Sequence, residues 1–301
     1  MSAEWPSIAD LIVSGGSAPG LLGQVALIGA PLEQGSVTPG RCDLAPAAVR
    51  QALRRLSTYD LEDRTSLTMP LADYGDVAVT GLMPADAFQP ILKAVSALAH
   101  DHRLTMLIGG NNAITRPAAH CLGLPLDQVG LITLDAHFDM RETNDGPRNG
   151  NPVRCLIEDG LPGRNIVQIG LAPFANTIKM HLDALEAGAA VHTVGDVRRH
   201  GVEATIATAL GQLDHVTRIV VDFDIDVIDR SQMPGAPGAR PGGMAVTDFF
   251  AAARLLAAEP KVGLVDLTEY DPSLDSSDLS ALTAARWVCE ILAGFSRRET
   301  A

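Results

Sequence analysis

The sequence predicts a three-layer αβα fold built on a doubly wound, mainly parallel sheet. Three observations carry this expectation. Short apolar runs alternate with longer stretches of helical periodicity along the chain. Of 301 residues, 47% are hydrophobic but only 4% aromatic, so the core is Leu, Val, Ile and Ala, as in a sheet covered on both faces. Acidic side chains gather just after two of the apolar runs, and in open parallel sheets ligands bind at those carboxyl ends.

The expected buried strands are 25–29, 104–109, 130–134, 165–170, 190–194, 217–221 and 261–267. Helices are expected at 45–56, 86–101, 174–188, 202–213, 247–258 and 278–293, with Gly188 stopping the third and Thr247 or Asp248 starting the fifth. The Gly/Pro-rich stretches 15–23, 143–152 and 233–243 fall between elements and read as loops. With no repeat and no linker, residues 1–301 are expected to form a single domain, 1–23 being an irregular N-terminal segment.

Composition excludes some classes of partner. Thirty-six acids against 23 Lys and Arg give a net charge of −13, which repels phosphate backbones and anionic lipid, so neither nucleic acid nor membrane is expected. The first 20 residues contain no Lys or Arg and no signal-peptide pattern, and no apolar run is long enough to span a bilayer. Cys42, Cys121, Cys155 and Cys289 are widely spaced and read as reduced thiols, which points to the cytoplasm.

The strand ends carry the chemistry. After 130–134 come Asp135, His137 and Asp139 at alternate positions, which an extended chain projects to one side. After 217–221 come Asp222, Asp224 and Asp226, then Asp229. Six acids at two neighbouring strand ends repel one another in a poorly solvated cleft, and a divalent cation relieves that repulsion. Oxygen donors with one imidazole suit Mn²⁺, leaving Fe²⁺, Ni²⁺ and Zn²⁺ open, and a hydrogen-bonded acidic cap network is the metal-free alternative.

These residues resemble the signatures of the ureohydrolases, the family of arginase, agmatinase and formimidoylglutamase. Asp135-Ala136-His137-Phe138-Asp139 resembles its DAHxD motif. Asp222 to Asp229, followed by Pro237-Gly238 and Pro241-Gly242-Gly243, is similar to its SxDxDxxDPxxAPG…PGG segment. Ile108-Gly109-Gly110 matches its GGDH strand end, and Asp266 to Pro272 its DxxE(V/Y)xP segment. Order and spacing agree from about Leu27 to the C-terminus.

The resemblance implies an arginase-like fold, a homo-oligomer (trimer or hexamer) and a site holding two metals. Asp135 and Asp224 would bridge the ions, His137 and Asp226 would complete the second site, and Asp139 would belong to the first. Glu269 would face a cationic amidine or guanidine, and Asp139 and Glu269 would be the catalytic pair. The pattern changes at Asp222, where the family usually has Ser, at Arg230, where it has Pro, and at two positions that bear more directly on the site. Asn112 stands where the family has the histidine of the first site, which implies one tightly bound Mn²⁺ and leaves occupancy of the first site open. Val153 stands where arginases have a proton-shuttling histidine. The loop NGNPVR with DAHFDMR is closest to formimidoylglutamase-like members, with Asn151, Arg154 and Arg141 as substrate-binding candidates beside Glu269. The expected reaction is hydrolysis of N-formimidoyl-L-glutamate to glutamate and formamide. Two alternatives stay open: a guanidino acid substrate (hydroxyarginine, guanidinobutyrate or an agmatine-like compound) releasing urea or hydroxyurea, and an inactive scaffold used for binding or assembly.

Overall fold

The structure, a computed structural model, describes residues 5–15 and 24–299. Among the described residues eleven strands occur in chain order: β1 (Ile12–Ser14), β2 (Val25–Ala30), β3 (Tyr59–Asp60), β4 (Thr65–Ser66), β5 (Leu71–Asp76), β6 (Leu104–Gly109), β7 (Val129–Leu134), β8 (Ile166–Leu171), β9 (Ala190–Thr193), β10 (Arg218–Asp224) and β11 (Val262–Thr268). The helices are α1 (Ala45–Ala52), α2 (Pro84–Asp101), α3 (Thr115–His120), α4 (Pro152–Glu158), α5 (Ile178–Ala187), α6 (Val194–His200), α7 (Val202–Gln212), α8 (Val246–Ala258) and α9 (Leu279–Ser296). Strands β3 and β4 pair as a small antiparallel ribbon. The other nine form one sheet in the order β1-β5-β2-β6-β11-β10-β7-β8-β9, every neighbouring pair parallel.

Side-chain alternation along each strand sends apolar groups to both faces, which is why β2, β6, β7, β8 and β11 are buried along their whole length. Leu27, Ile108, Leu134, Val221 and Phe223 pack with Val49 of α1, Phe249 and Leu256 of α8, and Trp287 and Ile291 of α9. Ile28, Leu107, Leu131, Val220 and Leu264 pack on the opposite face with Ile91 and Val95 of α2, Ala118 of α3 and Leu156 of α4. The three layers follow from that division, and the central strands β6, β11, β10 and β7 deliver their carboxyl ends side by side.

Several boundaries differ from expectation for local reasons. Strand β10 continues to Asp224, so Asp222 lies inside the sheet, in register with Asp266 of β11. The helix expected from 174 starts at Ile178, where Thr177 accepts from the Met180 amide, and it stops as expected at Gly188, which takes the left-handed conformation. Helix α8 starts at Val246 behind Ala245, with no side-chain cap, and Asp248 lies in its first turn. Within the N-terminal segment, β1 adds to the edge of the sheet beside β5. The remainder of that segment, 1–4 and 16–23, lies outside the described residues. Among the described residues no helix is long and apolar enough to cross a membrane.

Candidate active site

The two acidic strand ends meet because each turns sharply as it leaves the sheet. After β7, the His137 amide donates to Asp135 Oδ1 at 2.7 Å, closing a local turn that aims both side chains into one cleft. Asn176 fixes the same stretch from outside: its Oδ1 accepts from the Phe138 amide and its Nδ2 donates to Ala136 O, each at 2.9 Å. After β10, the Asp226 amide donates to Asp224 Oδ1 at 2.9 Å and starts a single 3-10 turn, Ile225–Val227. That turn returns Asp226 toward the first strand end. His137 Nδ1 lies 3.0 Å from Asp226 Oδ2 and 3.4 Å from Asp135 Oδ1. Donor atoms of Asp135, His137 and Asp226 all fall within 4.8 Å of one another, close enough to share one ion.

The loop carrying Pro237 and Gly238 roofs this group. A Cβ on Gly238 would stand 1.8 Å from Asp226 Oδ2 and 3.1 Å from His137 Cε1, so only glycine lets the backbone approach.

Strand ends β6 and β11 supply the opposite wall. Gly110 lets the chain pass against Leu32, whose carbonyl oxygen a Cβ would meet at 1.9 Å. Asn112 follows, nearly fully buried. Its Nδ2 donates to Asp139 Oδ2 at 2.8 Å and to Asp224 Oδ2 at 3.2 Å, while its Oδ1 accepts from Thr115 Oγ1 at 2.6 Å. Its backbone amide donates to Glu269 Oε1 at 2.8 Å, and Asn149 Nδ2 donates to the same oxygen at 3.0 Å. Asp139 and Glu269 both have left-handed backbones, with φ of 52° and 60°. For residues with a Cβ this conformation costs about 1–3 kcal/mol each, and such strain clusters at functional sites.

Electrostatics follow from crowding acids where water is scarce. Burial and the Asp226 charge push the Asp135 carboxyl up to about 6. Burial, with further acids nearby, raises Asp139 and Asp224 well above the ordinary carboxylate range. Burial pushes Glu269 up to about 7 even though Asn149 and the Asn112 amide oppose the rise. The Asp226 charge, outweighing burial, drives the His137 imidazole up to about 12. One layer below, burial and the Asp266 charge raise Asp222 as well, and burial pushes Asp266 up to about 7. An acid cluster that holds surplus protons around one imidazole is a donor set that fits a hard or borderline divalent cation, which would displace those protons.

The fold recurs in known proteins. Residues 23–294 match the model of the Arginase family. The chain belongs to the Arginase family. Formimidoylglutamase of Bacillus subtilis (strain 168) is 31% identical over 275 residues, covering 89% of this chain and 86% of that protein. Formimidoylglutamase of Halalkalibacterium halodurans is 33% identical over 276 residues, with the same coverage. The crystal structure of the Bacillus subtilis enzyme superposes with a TM-score of 0.92 at 28% identity, covering 98% of this chain and 93% of that one. Formiminoglutamase of Trypanosoma cruzi, solved with two Mn²⁺, shares the fold with a TM-score of 0.89 at 24% identity, covering 98% of this chain and all of that one.

Around this Arginase-family cleft, Asp139, Asp224, Asp226, His137 and Glu269 reach the wall, joined by Val37, Thr38, Arg141, Asn149, Asn176 and Arg240. Asn149, Asn176 and Arg240 were missed in the sequence. Asn149 sits two residues from the candidate Asn151, and Arg240 sits beside the PGG turn, but neither position has a spacing that announces it. Asp135 and Asn112 lie just behind the wall, both nearly fully buried, and two further candidates are turned to other partners. Asn151 is buried at the start of α4 and spends its side chain on its own loop, accepting from the Arg148 amide and donating to the carbonyls of Glu142 and Gly146. Arg154 turns the other way, pairing with Asp183 of α5 and donating to Met140 O. Val153 is packed among apolar neighbours that include Leu156, with no polar group to offer.

Proposed function

We propose that this chain is a manganese-dependent hydrolase of C–N bonds in linear amidines, acting on N-formimidoyl-L-glutamate to give L-glutamate and formamide. The observation that carries the reading is the cleft in which His137, Asp139, Asp224 and Asp226 face Glu269, with buried Asp135 behind them within reach of His137 and Asp226. Membership of the Arginase family and the formimidoylglutamases among its relatives support the substrate.

In this reading Asp135, His137, Asp224 and Asp226 would hold one Mn²⁺, and Asp135, Asp139, Asp224 and Asn112 would surround a weaker second position. When bound, the metal supplies Lewis acidity that makes water a nucleophile near neutral pH. Asp139, tied to Asn112 at the cleft wall, would take a proton from the attacking water and pass it to the nitrogen that leaves with glutamate. Water adds to the planar formimidoyl carbon, the bond from that carbon to the glutamate nitrogen breaks, and formamide and a free amine result. Glu269 faces the amidine; two donors fix its Oε1, so it meets the cation without reorganising. Arg141 and Arg240, both exposed at the cleft, suit the two carboxylates of the substrate.

We place the protein in the cytoplasm, as its four free cysteines suggest, and expect it to assemble as a trimer or hexamer. The deciding experiment incubates Mn²⁺-loaded protein with N-formimidoyl-L-glutamate and measures formamide and glutamate, with arginine and guanidinobutyrate as competitors. Formamide release selects this reading. Urea from the guanidino compounds alone would replace it, and no product from any of them would favour a binding protein.

A further inference from the structure

We infer that Thr115 is a positioning residue that lets either end of the Asn112 amide face the acidic cluster. The inference rests on the metal reading proposed above. A primary amide has two chemically opposite ends, a carbonyl that accepts and an N–H₂ that donates, on nearly the same shape. Here the N–H₂ end faces Asp139 and Asp224, and the carbonyl faces Thr115. Among carboxylates with no cation between them, that orientation is the favourable one. A cation seated against the same carboxylates reverses the preference, because it repels N–H₂ and attracts the carbonyl oxygen.

Turning the amide over is tolerable only if the group behind it accepts either end. A hydroxyl does, being both donor and acceptor. As found, Thr115 Oγ1 lies 2.6 Å from Asn112 Oδ1 and donates to it. With the amide reversed, Oγ1 accepts from Nδ2, and its own proton turns to Asp266 Oδ2, 3.2 Å away. Thr115 and Asp266 are both fully buried, so no solvent replaces a missing partner. The other side of the Asp266 carboxyl, on β11, faces Asp222 of β10, so Oδ2 stays in place to receive the hydroxyl proton. Thr115 thus satisfies Asn112 both with and without a cation at the first site.

The test compares Thr115→Val, which keeps the shape and removes the hydroxyl, with Thr115→Ser, which keeps the hydroxyl. Metal-free protein is titrated with Mn²⁺ and followed by electron paramagnetic resonance, which resolves tight and weak binding without using activity. Thr115→Val should leave the tight site unchanged and weaken the second ion by about 10–100-fold, the usual cost of losing an outer hydrogen bond to a ligand. Thr115→Ser should restore wild-type affinity. If Thr115→Val does not fold, Thr115→Ala carries the same expectation with less crowding. The inference is overturned if the valine (or alanine) variant binds the second ion as the wild type does, if serine fails as valine does, or if wild type takes up one ion only. Wild type that binds no Mn²⁺ would overturn the proposed function along with it.

Discussion

Asn112 Nδ2 lies 2.8 Å from Asp139 Oδ2, and this bond ties the end of β6 to the end of β7 across the two strands that separate them. An amide N–H₂ in that position partly neutralises Asp139 and Asp224, as a cation would, and it presents no lone pair to a metal until the amide turns over. The local chemistry therefore divides the cluster into a side rich in donors, around His137 and Asp226, and a side where an amide competes with metal.

Asn112→His follows directly. An imidazole beside Asp139 and Asp224 replaces a competing donor with a ligand, so bound Mn²⁺ after dialysis should rise from near one toward two per chain. Elemental analysis checks it. An unchanged metal count would show that the end of β6 does not border a metal position. Activity separates two roles: a gain marks Asn112 as a weakened ligand, and a loss marks the amide as a contact the reaction uses.

Removing charge from the centre of the cluster should be severe. Asp224 touches Asn112 and the Asp226 amide, so Asp224→Asn should lower turnover by about three orders of magnitude or more through loss of a carboxylate at the centre of the proposed metal site. Glu186→Gln, an exposed change on α5, serves as the control and should keep turnover within about twofold. Near-normal turnover in Asp224→Asn would move the catalytic centre elsewhere.

Substrate carboxylates should be read by arginines at the cleft wall and not by Arg154. Arg141→Ala should raise KM by about tenfold or more with little change in kcat, since ion pairing to a carboxylate is alike in ground and transition states. Arg154→Ala should leave KM alone and lower the melting temperature, because that guanidinium ties α4 to Asp183 of α5. A KM effect confined to Arg154 would reverse the assignment.

What the sequence disclosed and what it hid have a common physical basis. Strands buried on both faces, such as β6 and β7, are continuous apolar runs, and the acids that follow β7 and β10 are more than local turn closure needs, so both stood out. Strand β5 reads Leu-Ala-Asp-Tyr-Gly-Asp and is partly exposed near the sheet edge, where an unbroken apolar run is not needed. The end of β10 was misplaced because Asp222 is polar yet buried in register with Asp266, a pairing visible only once two distant strands lie together. The roles of Asn151 and Arg154 were equally non-local. Asn151 is consumed by carbonyls of its own loop and Arg154 by a helix 29 residues away, and neither partner has a sequence signature.

Stabilisation by Mn²⁺ should grow as pH rises from about 5 to 8. Without metal, the folded protein keeps protons that the unfolded chain releases. For Asp135 the stability so gained is complete below the ordinary value of 3.8 and is lost as pH rises through about 6. For Glu269 the corresponding limits are 4.5 and about 7, and for His137 they are 6.5 and about 12. All three contributions fall in the same direction across this window, so the metal-free melting temperature should decline with rising pH. Asp226 has the opposite sign, but its depressed value places its effect at more acid pH. A divalent cation favours the charged acids and the neutral imidazole, so binding expels the retained protons. Apparent affinity should then tighten by about tenfold per pH unit for each proton released. Thermal melts with and without Mn²⁺ at pH 5, 6, 7 and 8 measure both trends. A shift on adding Mn²⁺ that is constant with pH, or largest at pH 5, would mean that the ion binds somewhere other than this protonated cluster.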